Sequence, residues 1–247
     1  MAYCFISDLH LQESRPDITE AFLDFLDDTA SKAEKLYILG DLFEAWIGDD
    51  DQNNFISEIQ EALLKTNKTT KIFFMHGNRD FLIGTKFASS SGFELLNDPT
   101  IEEMFGNNVL LMHGDLLCTE DHDYQAFRKT SRDPKWQDEF LNKSIQERQE
   151  IAHNLRTISK EATGLKKEEI MDVSTTEVIR IMEESSVNLL IHGHTHRPKS
   201  HKVKVNDQPA ERIVLGDWDA CGWYICCLLY TSPSPRDLST TRMPSSA

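Results

Sequence analysis

Six short apolar runs punctuate the chain: YCFIS at 3–7, LYIL at 36–39, KIFFM at 71–75, NVLLM at 108–112, NLLI at 188–191 and RIVL at 212–215. Runs this short, rich in aromatic and β-branched residues, suit strands buried on both faces. Helical patterns lie between them. One starts at Asp17 with Glu20 as a capping box and sets Ile18, Phe22, Phe25 and Leu26 on one face. A second covers 55–65, and a third starts at Ser174, boxed by Glu177, with Val178, Ile181 and Met182. Alternation of strand and helix predicts an α/β domain with a layered sheet.

Two segments break the alternation. Residues 119–172 are rich in Glu, Lys, Gln and Arg and read as amphipathic helices around 121–130, 134–142 and 144–160, a helical cap inserted into a domain spanning 1–225. Residues 226–247, CCLLYTSPSPRDLSTTRMPSSA, are Ser/Thr/Pro-rich and aperiodic, and are expected to be a disordered or non-native tail. A net charge of −15 disfavours nucleic acid as a partner, and adsorption to anionic lipid by charge alone. The five cysteines, Cys4, Cys118, Cys221, Cys226 and Cys227, are odd in number and lack C-x-x-C spacing, which points to a reducing compartment without a disulfide framework. The N-terminus, MAYCFISDLH, does not read as a signal peptide, and no apolar run approaches the roughly 20 residues of a membrane span. A cytoplasmic location is expected.

The polar residues that follow the apolar runs carry the chemistry. Asp8 and His10 follow the first, Asp41 the second, Asn78 the third, His113 the fourth, and His194 and His196 the fifth. In an α/β sheet the ligand crevice lies outside the carboxyl ends of the strands. Seven donors exceed the need of one ion and suit two ions about 3.5–4 Å apart sharing a carboxylate. Mixed Asp, Asn and His donors without thiolate favour Mn²⁺, Fe²⁺ or Zn²⁺.

That order of motifs, D-x-H, G-D, G-N-x-D, H-G-D and G-H-x-H, resembles the calcineurin-like metallophosphoesterases, which implies a β-sandwich flanked by helices. By that resemblance Asp8, His10, Asp41 and His196 hold one Mn²⁺, and Asp41, Asn78, His113 and His194 hold the other. His76 and His192 match no ligand position, and Asp80 and Asp115 are candidate orienting residues behind the ligands. After the Gly-Asn the superfamily usually has His or Glu, where this chain has Arg79. An arginine cannot protonate a departing alkoxide. A phosphate leaving group, whose last pKa is about 6, departs unaided, and a guanidinium then stabilises charge on the phosphoryl oxygens. Arg79 therefore suggests cleavage of a P–O–P bond.

The stretches FISDLHL, YILGDLFEAWIGDDD, HGNRDFLIG, LMHGDLLCTEDHDYQAFR, SKEATGLKKEEIMDV and IHGHTHRP together resemble one branch, the UDP-2,3-diacylglucosamine diphosphatases of lipid A synthesis. The resemblance covers most of residues 1–218. It implies metal-activated water attacking the α-phosphorus to release UMP and 2,3-diacylglucosamine 1-phosphate. It also implies a lipid-linked sugar nucleotide as partner, transient contact with the cytoplasmic face of the inner membrane, and a monomer. Carried over by position, Asn78, Arg79, Asp121, Ser159, Thr163, Lys166 and His194 contact the substrate, while Asp49, Asp50 and Asp51 are expected to be a solvated acidic loop. Phe140, Leu141, Ile145, Ile151 and Leu155 are placed to line an acyl groove at helical spacing. Two other readings remain open: a metallophosphoesterase acting on soluble nucleotides or dinucleoside polyphosphates, and a non-catalytic scaffold on a metal-binding fold.

Overall fold

The computed structural model describes the backbone of residues 2–165, 172–228 and 238–244, and the side chains of 2–157 and 172–227. The first strands run β1 Ala2–Ile6, β2 Lys35–Ile38 and β3 Lys71–Met75, separated by helices α1 Pro16–Asp28 and α2 Asn54–Thr66. Helix α3 Thr85–Ser91 leads to β4 Glu94–Leu96, β5 Thr100–Met104 and β6 Asn107–Met112. Three helices follow, α4 His122–Ser131, α5 Pro134–Leu141 and α6 Ile145–Leu165, and then α7 Thr175–Glu184. The chain ends with β7 Leu189–His192, β8 Lys199–Val205, β9 Gln208–Val214, β10 Cys221–Leu228 and β11 Leu238–Pro244.

The strands form two sheets, ordered β11-β10-β1-β2-β3-β4 and β5-β6-β7-β9-β8. At the centre of each the pairing is parallel: β1, β2, β3 and β4 in the first, and β6, β7 and β9 in the second. Parallel strands carry their carboxyl ends to one edge, and both centres therefore deliver their following loops to the same kind of place.

Side-chain alternation explains the layering. Tyr3, Phe5, Tyr37, Leu39, Phe73 and Met75 pack against Val109, Leu111, Ile191 and Ile213 between the sheets. Their neighbours Cys4, Ile6, Leu36, Ile38, Ile72 and Phe74 point the other way, onto Phe22 and Phe25 of α1 and Ile59 and Leu63 of α2. On the far side, Leu110, Met112 and Leu190 meet Val178 and Met182 of α7. A strand with period 2 and apolar residues at every position must be covered on both faces. The result is the expected β-sandwich flanked by helices.

Several expectations are corrected. Helix α1 has no capping box: Pro16 occupies its first turn, and Asp17 accepts hydrogen bonds from Arg15 Nε and Nη2 at 3.0 and 2.8 Å instead. Cys4 and Cys226 form a disulfide, because the antiparallel β1–β10 register sets them opposite each other with Cα atoms 4.3 Å apart. Spacing along the sequence cannot reveal a pair brought together by strand register. The expected boundary at 225 falls inside β10, and Leu238–Pro244 pairs with β10 as an outer strand where a disordered tail was expected. The edge of β10 offers free N–H and C=O groups, a template on which a Thr-containing segment can pair.

Candidate metal centre

The seven candidate ligands converge. Asp8 Oδ1 lies 3.5 Å from His196 Nε2, and His196 Nε2 lies 3.2 Å from His10 Nε2. His10 Nε2 is 4.0 Å from Asp41 Oδ2, and Asp41 Oδ1 is 3.8 Å from His113 Nε2. Asn78 Oδ1 closes the chain, 3.0 Å from His113 Nε2 and 2.8 Å from His194 Nδ1. Donors from the ends of β1, β2, β3, β6 and β7 thus stand side by side, with His10, Asp41, Asn78, His194 and His196 on the wall of a cavity.

The backbone makes this possible at some cost. Asp8, His10, Asp41, His194 and His196 all adopt left-handed conformations, with φ of 56°, 51°, 55°, 70° and 55°. Such conformations are unfavourable for residues with a Cβ and cluster where function fixes a side chain's direction. Gly40 has φ +87°, and a Cβ there would stand 2.5 Å from His113 Nδ1. A Cβ on Gly77 or Gly193 would run into the carboxylates of Asp41 and Asp8 respectively.

The chemistry of the pocket fits divalent cations. Asp8 and Asp41 are buried, and Asp8 Oδ1 has no hydrogen-bond partner. Burial works against a charged His113, yet Asp41, Asp115 and Asp8 overcome it and hold the imidazole up to about 9. His194, pushed down to about 4 by burial and by the neighbouring His113, remains neutral. Carboxylates that pull this strongly on a buried imidazole form a cavity that demands positive charge, and metal ions would satisfy it while binding the imidazoles as neutral ligands.

The groups behind the ligands are also ordered. His113 Nδ1 donates to the Leu39 carbonyl at 2.8 Å, which directs Nε2 into the pocket. Asp80 is fully buried and accepts from the amides of Gly77 and Leu42 at 2.8 and 2.7 Å, tying the β2 and β3 loops together. Burial and the nearby Asp41 push its carboxyl up to about 6. Asp115 accepts from Tyr124 Oη at 2.5 Å and Arg128 Nε at 2.8 Å, linking the β6 loop to α4. His76 Nε2 lies 2.7 Å from the Ile83 carbonyl, and His192 is buried beside Arg212, so both are packed neighbours.

Arg79 faces the pocket. Its Nη1 stands 3.5 Å from Glu44 Oε1, and its amide donates to Asp41 Oδ1 at 2.8 Å. One cavity of about 530 Å³ joins this polar end to an apolar one. His10, Asp41, Asn78, Arg79 and His194 line the first; Trp46, Phe81, Phe127, Trp136, Phe140 and Leu155 line the second. Helices α4, α5 and α6 supply Phe127, Trp136, Phe140 and Leu155 of the apolar wall, and the loops after β2 and β3 supply Trp46 and Phe81. Of the residues expected along a groove, Phe140 and Leu155 line the cavity, Ile145 and Ile151 pack onto the core, and Leu141 is 39 % exposed. Asp121 lines the cavity and caps α4, accepting from the Tyr124 amide at 3.1 Å. The side chains of Ser159 and Thr163, and all of Lys166, lie outside the described residues.

The acidic loop is not simply solvated. Asp49 accepts from the Gly84 and Phe87 amides, each at 2.9 Å, at the start of α3, and Asp50 pairs with the buried Arg148 of α6 at 2.5 Å. The sequence reading also passed over Glu44, Arg156 and Asp217. Asp217 lies 3.5 Å from His196 Nδ1. It follows RIVL in a further G-D dipeptide, so the rule that singles out the candidate ligands points to it as well. Glu44 and Arg156 carried no such signal.

With fold and pocket defined, the class follows: the chain belongs to the calcineurin-like phosphoesterase family, whose profile matches residues 1–198, and it is a metal-dependent hydrolase. Its relatives are more specific. Proteins named UDP-2,3-diacylglucosamine hydrolase match it in Marinobacter nauticus (51% identity, 91% of this chain and 93% of the relative) and Cellvibrio japonicus (51%, 89% and 92%). Another of that name in Ectopseudomonas mendocina is 53% identical over 88% of this chain and 90% of its own. Among solved structures, Vps29 from Entamoeba histolytica complexed with zinc aligns at a TM-score of 0.48 and 13% identity over 100% of both chains, too loosely to inform the site.

Proposed function

We propose that this chain hydrolyses the diphosphate of UDP-2,3-diacylglucosamine, giving UMP and 2,3-diacylglucosamine 1-phosphate for lipid A synthesis. The observation that carries this reading is the single cavity with the ligand cluster and Arg79 at one end and aromatic and aliphatic walls at the other. A diphosphate attached to a diacylated sugar needs both environments within one molecule's reach. Relatives about half identical over nine-tenths of the chain bear the corresponding name.

In this reading Asp8, His10, Asp41 and His196 would hold one ion, and Asp41, Asn78, His113 and His194 a second, with Mn²⁺ the expected metal and Fe²⁺ or Zn²⁺ as substitutes. Bound divalent ions would supply a nucleophilic water near neutral pH and offset charge on the diphosphate. The water oxygen would form a bond to the α-phosphorus as the bond to the bridging oxygen breaks, that electron pair leaving with the sugar phosphate and the proton of the water passing to solvent. Arg79 donates to the phosphoryl oxygens as charge builds there, and no protein acid is required for the leaving group. The apolar wall from α4, α5 and α6 excludes water from the acyl chains, and Asp121, Ser159, Thr163 and Lys166 remain the proposed contacts to sugar and phosphate. The lipid substrate would be drawn from the inner-membrane surface; no described helix is long and apolar enough to cross a membrane.

The direct test incubates the protein with the lipid sugar nucleotide and Mn²⁺, Mg²⁺ or a chelator and follows UMP. Turnover that depends on Mn²⁺ is expected. Efficient cleavage of soluble nucleotides with none of the diacylated substrate would replace this reading with the generic phosphoesterase.

A further inference from the structure

Glu44 stands where three groups of the site meet. Its carboxylate receives Arg156 Nη1 from α6, lies 3.5 Å from Arg79 Nη1 and lies 3.2 Å from His10 Nδ1. The cavity wall includes His10, Arg79 and Arg156, and Glu44 sits behind them. His10 meanwhile directs Nε2 toward His196 and Asp41. An imidazole that offers one nitrogen to a cation is oriented by what its other nitrogen faces, and a carboxylate there raises its strength as a ligand. A guanidinium has five donors in a rigid fork, so fixing one Nη leaves others free to meet phosphoryl oxygens.

We propose that Glu44 is a positioning residue, in which one carboxylate shared by His10, Arg79 and the cap's Arg156 sets the metal-facing imidazole and the diphosphate-facing guanidinium at once. It couples the cap to both halves of the site: α6 reaches the core through Arg156, and Glu44 passes that contact to His10 and Arg79. The catalytic part of the idea rests on the diphosphate reading above. The metal part does not.

The experiment compares wild type with Glu44→Gln, Glu44→Ala and Arg156→Ala. Protein stripped of metal is titrated with Mn²⁺ by calorimetry, kcat and KM are measured on the lipid sugar nucleotide, and thermal unfolding monitors the fold. Glu44→Gln keeps the size and an acceptor oxygen but removes the charge. It is expected to weaken Mn²⁺ binding and lower kcat by about 10–100-fold each, with KM and the unfolding temperature nearly unchanged. Arg156→Ala should lower kcat as well, with a smaller loss of Mn²⁺ affinity than Glu44→Gln, since Arg156 reaches His10 only through Glu44. Wild-type Mn²⁺ affinity in Glu44→Gln would overturn the proposal, as would losses in Glu44→Ala that merely track a fall in unfolding temperature. If wild type itself fails to turn over the lipid substrate, the substrate reading falls and the Mn²⁺ titration still judges Glu44.

Discussion

In the proposed reaction Arg79 is the residue whose chemistry most narrows the bond cleaved, because a guanidinium offers permanent charge and no acid. It is anchored without being used up: its amide holds Asp41, Nη1 faces Glu44, and Nε is buried with no hydrogen-bond partner. Arg79→Ala is expected to lower kcat by about 10²–10³-fold, the scale of removing one positioned donor, with an unchanged unfolding temperature. Retention of the wild-type rate in a UMP-release assay would show that the guanidinium takes no part. At the same scale, Gly40 and Gly106 separate backbone strain from crowding. Both have positive φ, +87° and +80°, but a Cβ on Gly106 meets nothing within 4 Å, whereas one on Gly40 meets His113 and Gly77. Gly106→Ala pays only for the left-handed backbone, about 1 kcal/mol. Gly40→Ala adds overpacking of about 1–3 kcal/mol, and chemical denaturation of the two variants should rank them accordingly.

Among the elements, the cap is held by arginines. Arg128 reaches Asp115, Arg132 Nη2 donates to the Gly77 carbonyl at 2.8 Å, Arg148 reaches Asp50 and the Ile47 carbonyl, and Arg156 reaches Glu44. Each contact ends on a loop that carries the site or adjoins it. Arg148 is almost wholly covered while its partner Asp50 is 57 % exposed, so the two are not equivalent. Removing Asp50 lets water reach the guanidinium and should cost about 1 kcal/mol. Arg148→Ala also leaves the Ile47 carbonyl unmet and a void under the cap, about 2–4 kcal/mol. Limited proteolysis of α5 and α6 together with thermal unfolding would show whether the cap loosens in that order. These contacts were not legible in the sequence, where Arg148 and Arg156 look like any solvated helix charges. The central strands were legible because two-sided burial leaves an unbroken apolar run. The strands β5 and β8, TIEEM and KSHKVKV, were missed because an edge strand alternates with charge and looks like loop. The same logic separates the candidate ligands, announced by strand ends, from Glu44, which only the folded chain brings to His10.

At the scale of the whole molecule, the ligand cluster sits where the two sheets meet. Asp8, His10, Asp41 and Asn78 come from loops of the first sheet, and His113, His194 and His196 from loops of the second. Without metal this end of the sandwich gathers buried carboxylates of like charge, and left-handed turns hold them there. Ions bound only to the folded chain stabilise it by mass action, about 2.7 kcal/mol at a hundredfold excess over Kd. For a chain of this size that is an upward shift of roughly 5–10 °C in unfolding temperature. Mn²⁺ added to chelator-treated protein should therefore raise the unfolding temperature by that order, and excess chelator should reverse it. Asp41→Asn sharpens the test, because its cost should grow with the metal. In the stripped protein it relieves repulsion with Asp8 and Asp80 but gives up the attraction to His113, 3.8 Å away, so the two effects oppose and the change in stability should be small. In Mn²⁺ it should fall well below wild type, because the carboxylate shared by the two proposed ions is gone. A gap between the two proteins in thermal unfolding that widens on adding Mn²⁺ is the expected outcome. Equal stability of both proteins in Mn²⁺ would mean that Asp41 serves the fold alone.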